Sequence, residues 1–374
     1  MKTFLSHMTA LALLRRLPAT LIEHARNTQT HVPSSQLPGT RTLRPVRTDI
    51  EGFRRSESDS LALSPYRAFY PKRLLLDRGL IGAPLDVLVS SQGARSKRAG
   101  VHVHTCSVDL PHGSFLQLFE EVYVSSPELV FLQLAPMLTF GELVLLGLEL
   151  CGTYALVPGL EHGHLSRRGS ALDADVLPGG AITSIGKMNS FAQRAVGVHG
   201  RKQALQALRY LADGSDSPAE SVAAILLTLP RRRGGFGLGS VLLNPEIRID
   251  RQFQRATSTG TRKPDILFRN AGPKGNVAID YNGKRYHNDP WQIARDNRHR
   301  NELVVTELQT FTLDSDILMH WDDMERFAAM IARALGKHPR VLRQDERERE
   351  RTKRSALRSC LLPYLYKPDG EDRE

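Results

Sequence analysis

Apolar positions fall into blocks of helical or strand period, separated by polar stretches. In residues 4–17 the leucines Leu11, Leu14 and Leu17 share one side of a helical pattern, and Pro18 ends it. Asn27–Ser60 is rich in Ser, Thr, Pro and Arg and reads as a loop. Leu85–Ser90 and Val101–Thr105 read as short strands around the basic segment Ser91–Gly100. Ser126-Pro127-Glu128 then opens the most apolar run of the chain, Phe131–Leu156. Pro136, Gly141, Glu142 and Glu149 interrupt that run, so it predicts a buried core helix, not a membrane span. Beyond the polar stretch Gly159–Thr183, helical spacing returns between Lys187 and Leu211, broken near Gly197 and Gly200.

The last third alternates between periods. It predicts a helix over 218–229, strands over 245–252, 265–270 and 277–282, a helix over 290–304, a strand over 309–314 and a helix over 316–335. Ala271-Gly272-Pro273-Lys274-Gly275-Asn276 is a hairpin turn, and Asp289-Pro290 a helix start. Arg340–Arg358 holds eight basic and four acidic residues and reads as a solvated helix. The expected organisation is a helix and polar linker (1–60), an α/β region (61–214), a second α/β domain (215–337) and a charged tail (338–374).

Composition narrows the classes. With 41% apolar and 24% charged residues, the 374-residue chain is neither fibrous nor disordered in type. Three cysteines rule out a disulfide framework and a four-cysteine zinc site, which suits a reducing cytoplasm. The N-terminal apolar stretch is interrupted by His7 and stopped by Arg15-Arg16, without a cleavage pattern, so no secretory signal is expected. A net charge of +11 favours a phosphate-rich partner such as DNA.

Candidate chemistry sits on the hairpin. Strand alternation puts Val277, Ile279 and Tyr281 on one face and Asp280 and Asn282 on the other, with Lys284 continuing the second. A symmetric six-residue turn would set Asp265 opposite Asn282 and diagonal to Asp280, about 5 and 7 Å away. Two carboxylates that close raise each other's pKa unless a cation lies between them. Mg²⁺ (or Mn²⁺) is the natural choice: it prefers hard oxygen ligands, lowers the pKa of bound water and offsets charge on a phosphoryl group. Lys284 would orient the water. Plainer readings stand beside these. Glu220 in Ser217-Pro218-Ala219-Glu220 is a capping box, Asp296 and Arg300 an i,i+4 ion pair, Lys284 a solvated hairpin-end lysine and His287 a strand-end residue. His102, His104 and Cys106 share a strand face, but simple alternation accounts for that spacing without zinc.

The order helix, three strands, helix, strand resembles the restriction-endonuclease-like core, a central mixed sheet flanked by helices. Pro264-Asp265 followed by Ile279-Asp280-Tyr281-Asn282-Gly283-Lys284 resembles its PD-(D/E)xK motif. Asp280-Tyr281-Asn282-Gly283 with His287, then Asp296 and Arg300-Asn301-x-Leu303, is similar to the very-short-patch-repair-like endonuclease group. The resemblance implies Asp265, Asp280 and an early helical acid, Glu220, as metal ligands, with Asn282 coordinating through its carbonyl. It implies His287 and Arg300 at the phosphate or attacking water, and Arg285 and Arg298 on the DNA backbone. The family carries Glu where Asp280 stands and an acid or lysine where Asn282 stands, and Lys284 is two residues late. A catalytically inactive regulator binding DNA or a partner protein therefore stays open beside the nuclease. The N-terminal part, through Leu5-Ser6-His7-Met8-Thr9-Ala10-Leu11, the strands around Val87 and Val103, and Ser126-Pro127-Glu128, resembles abortive-infection antitoxins of the AbiEi type.

Overall fold

Short apolar strands and capped helices build two mixed α/β units, one within Met1–Leu211 and one within Ala212–Leu365. The computed structural model describes residues 3–17, 22, 44–45, 84–89, 100–119, 122–158, 174–248, 261–272, 275–283, 308–337 and 343–365.

In the first unit, β1 (Thr3–Leu5), β2 (Arg44–Pro45), β3 (Leu85–Val89), β4 (Val101–Thr105), β5 (Phe115–Phe119) and β6 (Val122–Ser125) form one sheet in the order β2-β5-β6-β1-β3-β4. β1 runs parallel to β6 and antiparallel to β3, and β3 is parallel to β4. Helix α1 (His7–Leu14) packs on β3 and against α2 (Pro127–Leu134). The Ser126 hydroxyl caps α2 by accepting from the Leu129 N–H at 3.3 Å, and every residue of α2 is buried.

The apolar run Phe131–Leu156 is not one helix. It supplies the end of α2, then α3 (Phe140–Leu150), then the start of β7 (Tyr154–Pro158), which pairs with β8 (Ala174–Pro178). Pro136 lacks an N–H to continue α2, and Thr139 with Glu142 forms a capping box that starts α3 afresh. Among the described residues no helix is long and apolar enough to cross a membrane. Glu149, buried in α3, is tolerated because Arg15 grips both its oxygens at 2.7 and 2.6 Å and the Leu156 N–H reaches it at 2.9 Å. The break expected near Gly197 and Gly200 separates α4 (Ile185–Arg194) from α5 (Arg201–Leu208). Gly200 has φ +88°, and a Cβ there would lie 2.1 Å from the Leu132 carbonyl oxygen, so only glycine fits.

In the second unit, Ser217 caps α6 (Pro218–Thr228). The sheet runs β14-β13-β12-β9, from β9 (Leu242–Leu243), β12 (Ile266–Gly272), β13 (Gly275–Asn282) and β14 (Gln309–Asp314). β12 is antiparallel to both neighbours, whereas β13 and β14 are parallel and so require a crossover connection. The helix expected over 290–304 lies outside the described residues. Of the strand expected over 245–252, β10 (Ile247–Arg248) is present and pairs in a separate ribbon with β11 (Thr261–Arg262), while 249–252 lie outside the described residues. Both sheet faces are buried: Ile266, Phe268, Val277, Ile279 and Leu313 line one, and Leu267 and Ala278, with Leu308 and Ile247 packed against them, the other. The helix expected over 316–335 is two, α7 (Ser315–Met319) and α8 (Trp321–Ala334), separated at His320, whose backbone is extended. Met324, Phe327, Ala328 and Ile331 form the buried stripe of α8.

The charged segment is not wholly solvated. In α9 (Gln344–Leu361), Leu357, Arg358 and Leu361 are buried, and Arg354 lies over the rings of Phe236 and Trp321 at 4.6 and 5.7 Å. Arg358 covers Trp321 at 5.1 Å and donates to the Met319 carbonyl at 2.6 Å. Arginine stems bury apolar surface, and cation–π contact compensates the head group.

Candidate functional site

The hairpin brings the sequence-predicted acids together in a register different from the symmetric one. Gly272 pairs with Gly275 at the tip as expected, but further in Phe268 pairs with Val277, Leu267 with Ala278 and Ile266 with Ile279. Between Phe268 and Gly272 four steps of β12 face two of β13, so β12 bulges there. The bulge moves Asp265 beside Asp280, not Asn282. Because the shift is by two residues, the faces are preserved. Asn282 instead stands across from Asp314 of β14, and Asp280 across from Thr312.

Each acid is held differently. Asp265 precedes β12, and its Oδ2 accepts the Tyr281 N–H at 2.6 Å. Burial pushes its carboxyl up to about 7; the Tyr281 hydrogen bond opposes this, and the charges of Glu220, Asp280 and Asp216 add to it. Asp280 receives Arg262 Nη2 at 2.5 Å, with side chains 35% and 6% exposed respectively. Only half of the expected capping box forms: Ser217 Oγ accepts the Glu220 N–H at 3.2 Å, but the Glu220 Oε1 accepts from Ser217 Oγ at 2.8 Å and not from the Ser217 N–H. Its Oε2 accepts from the Asp216 N–H at 3.0 Å and from Asn244 Nδ2 at 2.6 Å. Asn244 holds a positive φ of +48°, tolerable for asparagine, and also donates to the Gly214 carbonyl at 3.0 Å. Burial, then Asp314, Asp316 and Glu220, raise the Tyr281 phenol above its ordinary range. This end of the sheet is therefore strongly acidic, with Arg262 on Asp280 and Lys263 on Asp216 at 2.6 Å as cations.

Among the described residues, no group of three or more His, Cys, Asp or Glu side chains is close enough to hold a metal ion. A Mg²⁺ ion asks for less, one or two carboxylates with waters and substrate oxygens completing the shell. Asp265 and Asp280 fit that demand chemically as hard oxygen donors, with burial first and then the neighbouring acids holding the Asp265 carboxyl up at about 7. The sequence matches no described protein family and no curated protein, and the structure matches no solved structure.

Lys284, Arg285, His287, Asp296, Arg298 and Arg300 lie outside the described residues. Sequence reasoning missed Arg262, Lys263, Asp216 and Asn244. The run Arg262-Lys263-Pro264-Asp265 carried a signal, since two cations directly precede an acid, but which acids they meet depends on the sheet. At the zinc-like spacing, His104 Nε2 bonds Asp86 Oδ1 at 2.8 Å, an imidazole–carboxylate pair.

Proposed function

We propose that the second unit is a restriction-endonuclease-like domain of the PD-(D/E)xK kind, hydrolysing DNA phosphodiester bonds with Mg²⁺ or Mn²⁺ in the cytoplasm. The observation that carries this reading is the register that sets Asp265 beside Asp280 across adjacent strands, with burial and then the charges of Glu220, at the start of α6, and of Asp280 among those holding the Asp265 carboxyl up at about 7. Carboxylates crowded this way at a sheet end cost stability in the free protein, which is characteristic of sites selected for function. Helix α6 followed by β9, β12, β13 and the parallel β14 supports the same core, as does the +11 charge for a DNA partner.

Asp265 and Asp280 would hold the cation, which supplies an activated water and charge neutralisation at the phosphorus. Asp265 would bind the cation as its deprotonated carboxylate. Arg262 holds Asp280 in its rotamer and offsets its charge in the free protein. Asn244 and Ser217 fix Glu220, whose charge biases Asp265 without a direct bond being needed. Lys284 and His287 are proposed at the water and the phosphate, and Arg285, Arg298 and Arg300 on the backbone. Purified protein is expected to cut or nick supercoiled plasmid, nicked or single-stranded DNA with Mg²⁺ or Mn²⁺, and Asp280→Ala to abolish cutting while retaining DNA binding. Intact DNA under all these conditions refutes the activity.

A second reading is favoured by the Arg262–Asp280 pair together with Asn282 in the position of an acid. A guanidinium on Asp280 would compete with a bound cation, which suits a non-catalytic regulator of the antitoxin type that binds DNA or a partner protein. Under that reading Asp280→Ala leaves the biological effect unchanged.

A further inference from the structure

The first unit contains a cavity of about 350 Å³ that the nuclease reading does not use, within the ~300–1,000 Å³ range of small-molecule sites. His7, His104, His199 and Gln133 are among its polar lining residues, and Leu129 and Val103 among its apolar walls. Gln133 is 7% exposed and its Oε1 accepts the His7 N–H at 3.1 Å, yet its Nε2 has no hydrogen-bond partner. A buried amide donor without a partner is costly unless a ligand satisfies it. His7 begins α1 with φ +47°, a left-handed conformation that a histidine adopts only when its surroundings over-determine it. They do: beside the Gln133 bond, His7 Nδ1 lies 2.9 Å from Ser6 Oγ, and its ring stacks on that of His104 at 3.5 Å with 19° between planes. His104 in turn is oriented by buried Asp86, whose Oδ2 also accepts the Thr9 N–H at 3.3 Å.

We propose that this pocket binds a neutral planar heterocycle of nucleobase or nucleoside size, its edge acceptor meeting Gln133 Nε2 and its ring lying against the His7–His104 stack. Base-like rings stack on imidazole and read hydrogen-bonding edges through side-chain amides. Burial first, then His104 and His199, with Asp86 opposing, keep the His7 imidazole down at about 3 and hence uncharged at neutral pH. No lysine or arginine is among the described lining residues, so an oxyanion finds little countercharge there. Neutral donors, aromatic faces and aliphatic walls suit an uncharged ring.

Calorimetry on the full chain in EDTA, with adenosine, guanosine, cytidine and thymidine as separate probes and inorganic phosphate in parallel, tests this. Saturable binding of at least one nucleoside is expected, with phosphate silent. Gln133→Glu keeps an oxygen for the His7 N–H but removes the donor, and should weaken binding at least tenfold. Because that position is buried, the wild-type chain is also titrated by NMR, where the ring protons of His7 and His104 should shift on adding the nucleoside that binds. Absence of binding by all four nucleosides at millimolar concentration, phosphate binding in their place, equal affinity in Gln133→Glu, or unmoved His7 and His104 resonances would each overturn the proposal.

Discussion

Arg262, leaving the ribbon strand β11 almost fully buried, meets Asp280 in the middle of the acidic sheet end at 2.5 Å. Its burial is what makes the pair matter. A guanidinium shielded from water holds its partner more firmly than a surface cation, although the 35% exposure of Asp280 lets solvent screen part of the attraction.

Arg262→Met, which keeps the stem and loses the charge, should therefore destabilise the metal-free chain by about 1–2 kcal/mol, below the ~3–5 kcal/mol of a fully buried pair. It should also enlarge the rise in melting temperature on adding Mg²⁺, since Arg262 then no longer competes with the cation for Asp280. Urea unfolding with and without Mg²⁺ reads both effects. An unchanged midpoint in each condition would mean the pair neither supports the fold nor competes with a cation.

Asp265 sets the pH dependence. Its folded carboxyl lies near 7, against 3.8 for the ordinary group. Between about pH 4 and pH 7 the folded chain holds a proton that the unfolded chain has lost, so this residue's contribution makes stability fall as pH rises through that window. Asp265→Asn retains an oxygen for the Tyr281 N–H and removes the charge. In EDTA it should match the wild type near pH 4 and exceed it above pH 7 by on the order of 2–4 kcal/mol, at about 1.4 kcal/mol per pH unit. Denaturant midpoints at pH 5 and pH 8 measure the difference, and a gap that does not widen with pH would contradict it.

Two glycines separate backbone strain from steric exclusion. Gly113 has φ +86° with nothing within 4 Å of an added Cβ, whereas Gly200 has φ +88° with the Leu132 oxygen 2.1 Å away. Gly113→Ala should cost about 1–2 kcal/mol, the left-handed penalty alone. Gly200→Ala should cost clearly more than that, because α2 would have to shift. Thermal melts of the two variants provide the comparison, and equal losses would remove the argument from close approach.

Local chemistry was readable from the residues. Ser126-Pro127 and Ser217-Pro218 start helices, the Ser217 hydroxyl caps the Glu220 N–H, and alternation puts Asp280 and Asn282 on the face opposite Val277, Ile279 and Tyr281. Those features act within four residues or follow from the two-residue strand period, so sequence order carries them. The symmetric turn was a reasonable expectation that the β12 bulge overrode: an even shift leaves every face intact and changes only which acid stands beside which.

The chain's own order of residues thus determined the caps, the hairpin strands with their faces and the identity of the acids on them. Tertiary structure alone decided that Asp265 neighbours Asp280, that Arg262 covers the latter, that Trp321 buries one side of a highly charged helix, and that His7 meets Gln133 from 126 positions away. Caps and periodicity are short-range energies written in adjacent letters. Partner choice across a sheet or between distant helices is settled only when burial forces the few compatible polar groups to find one another.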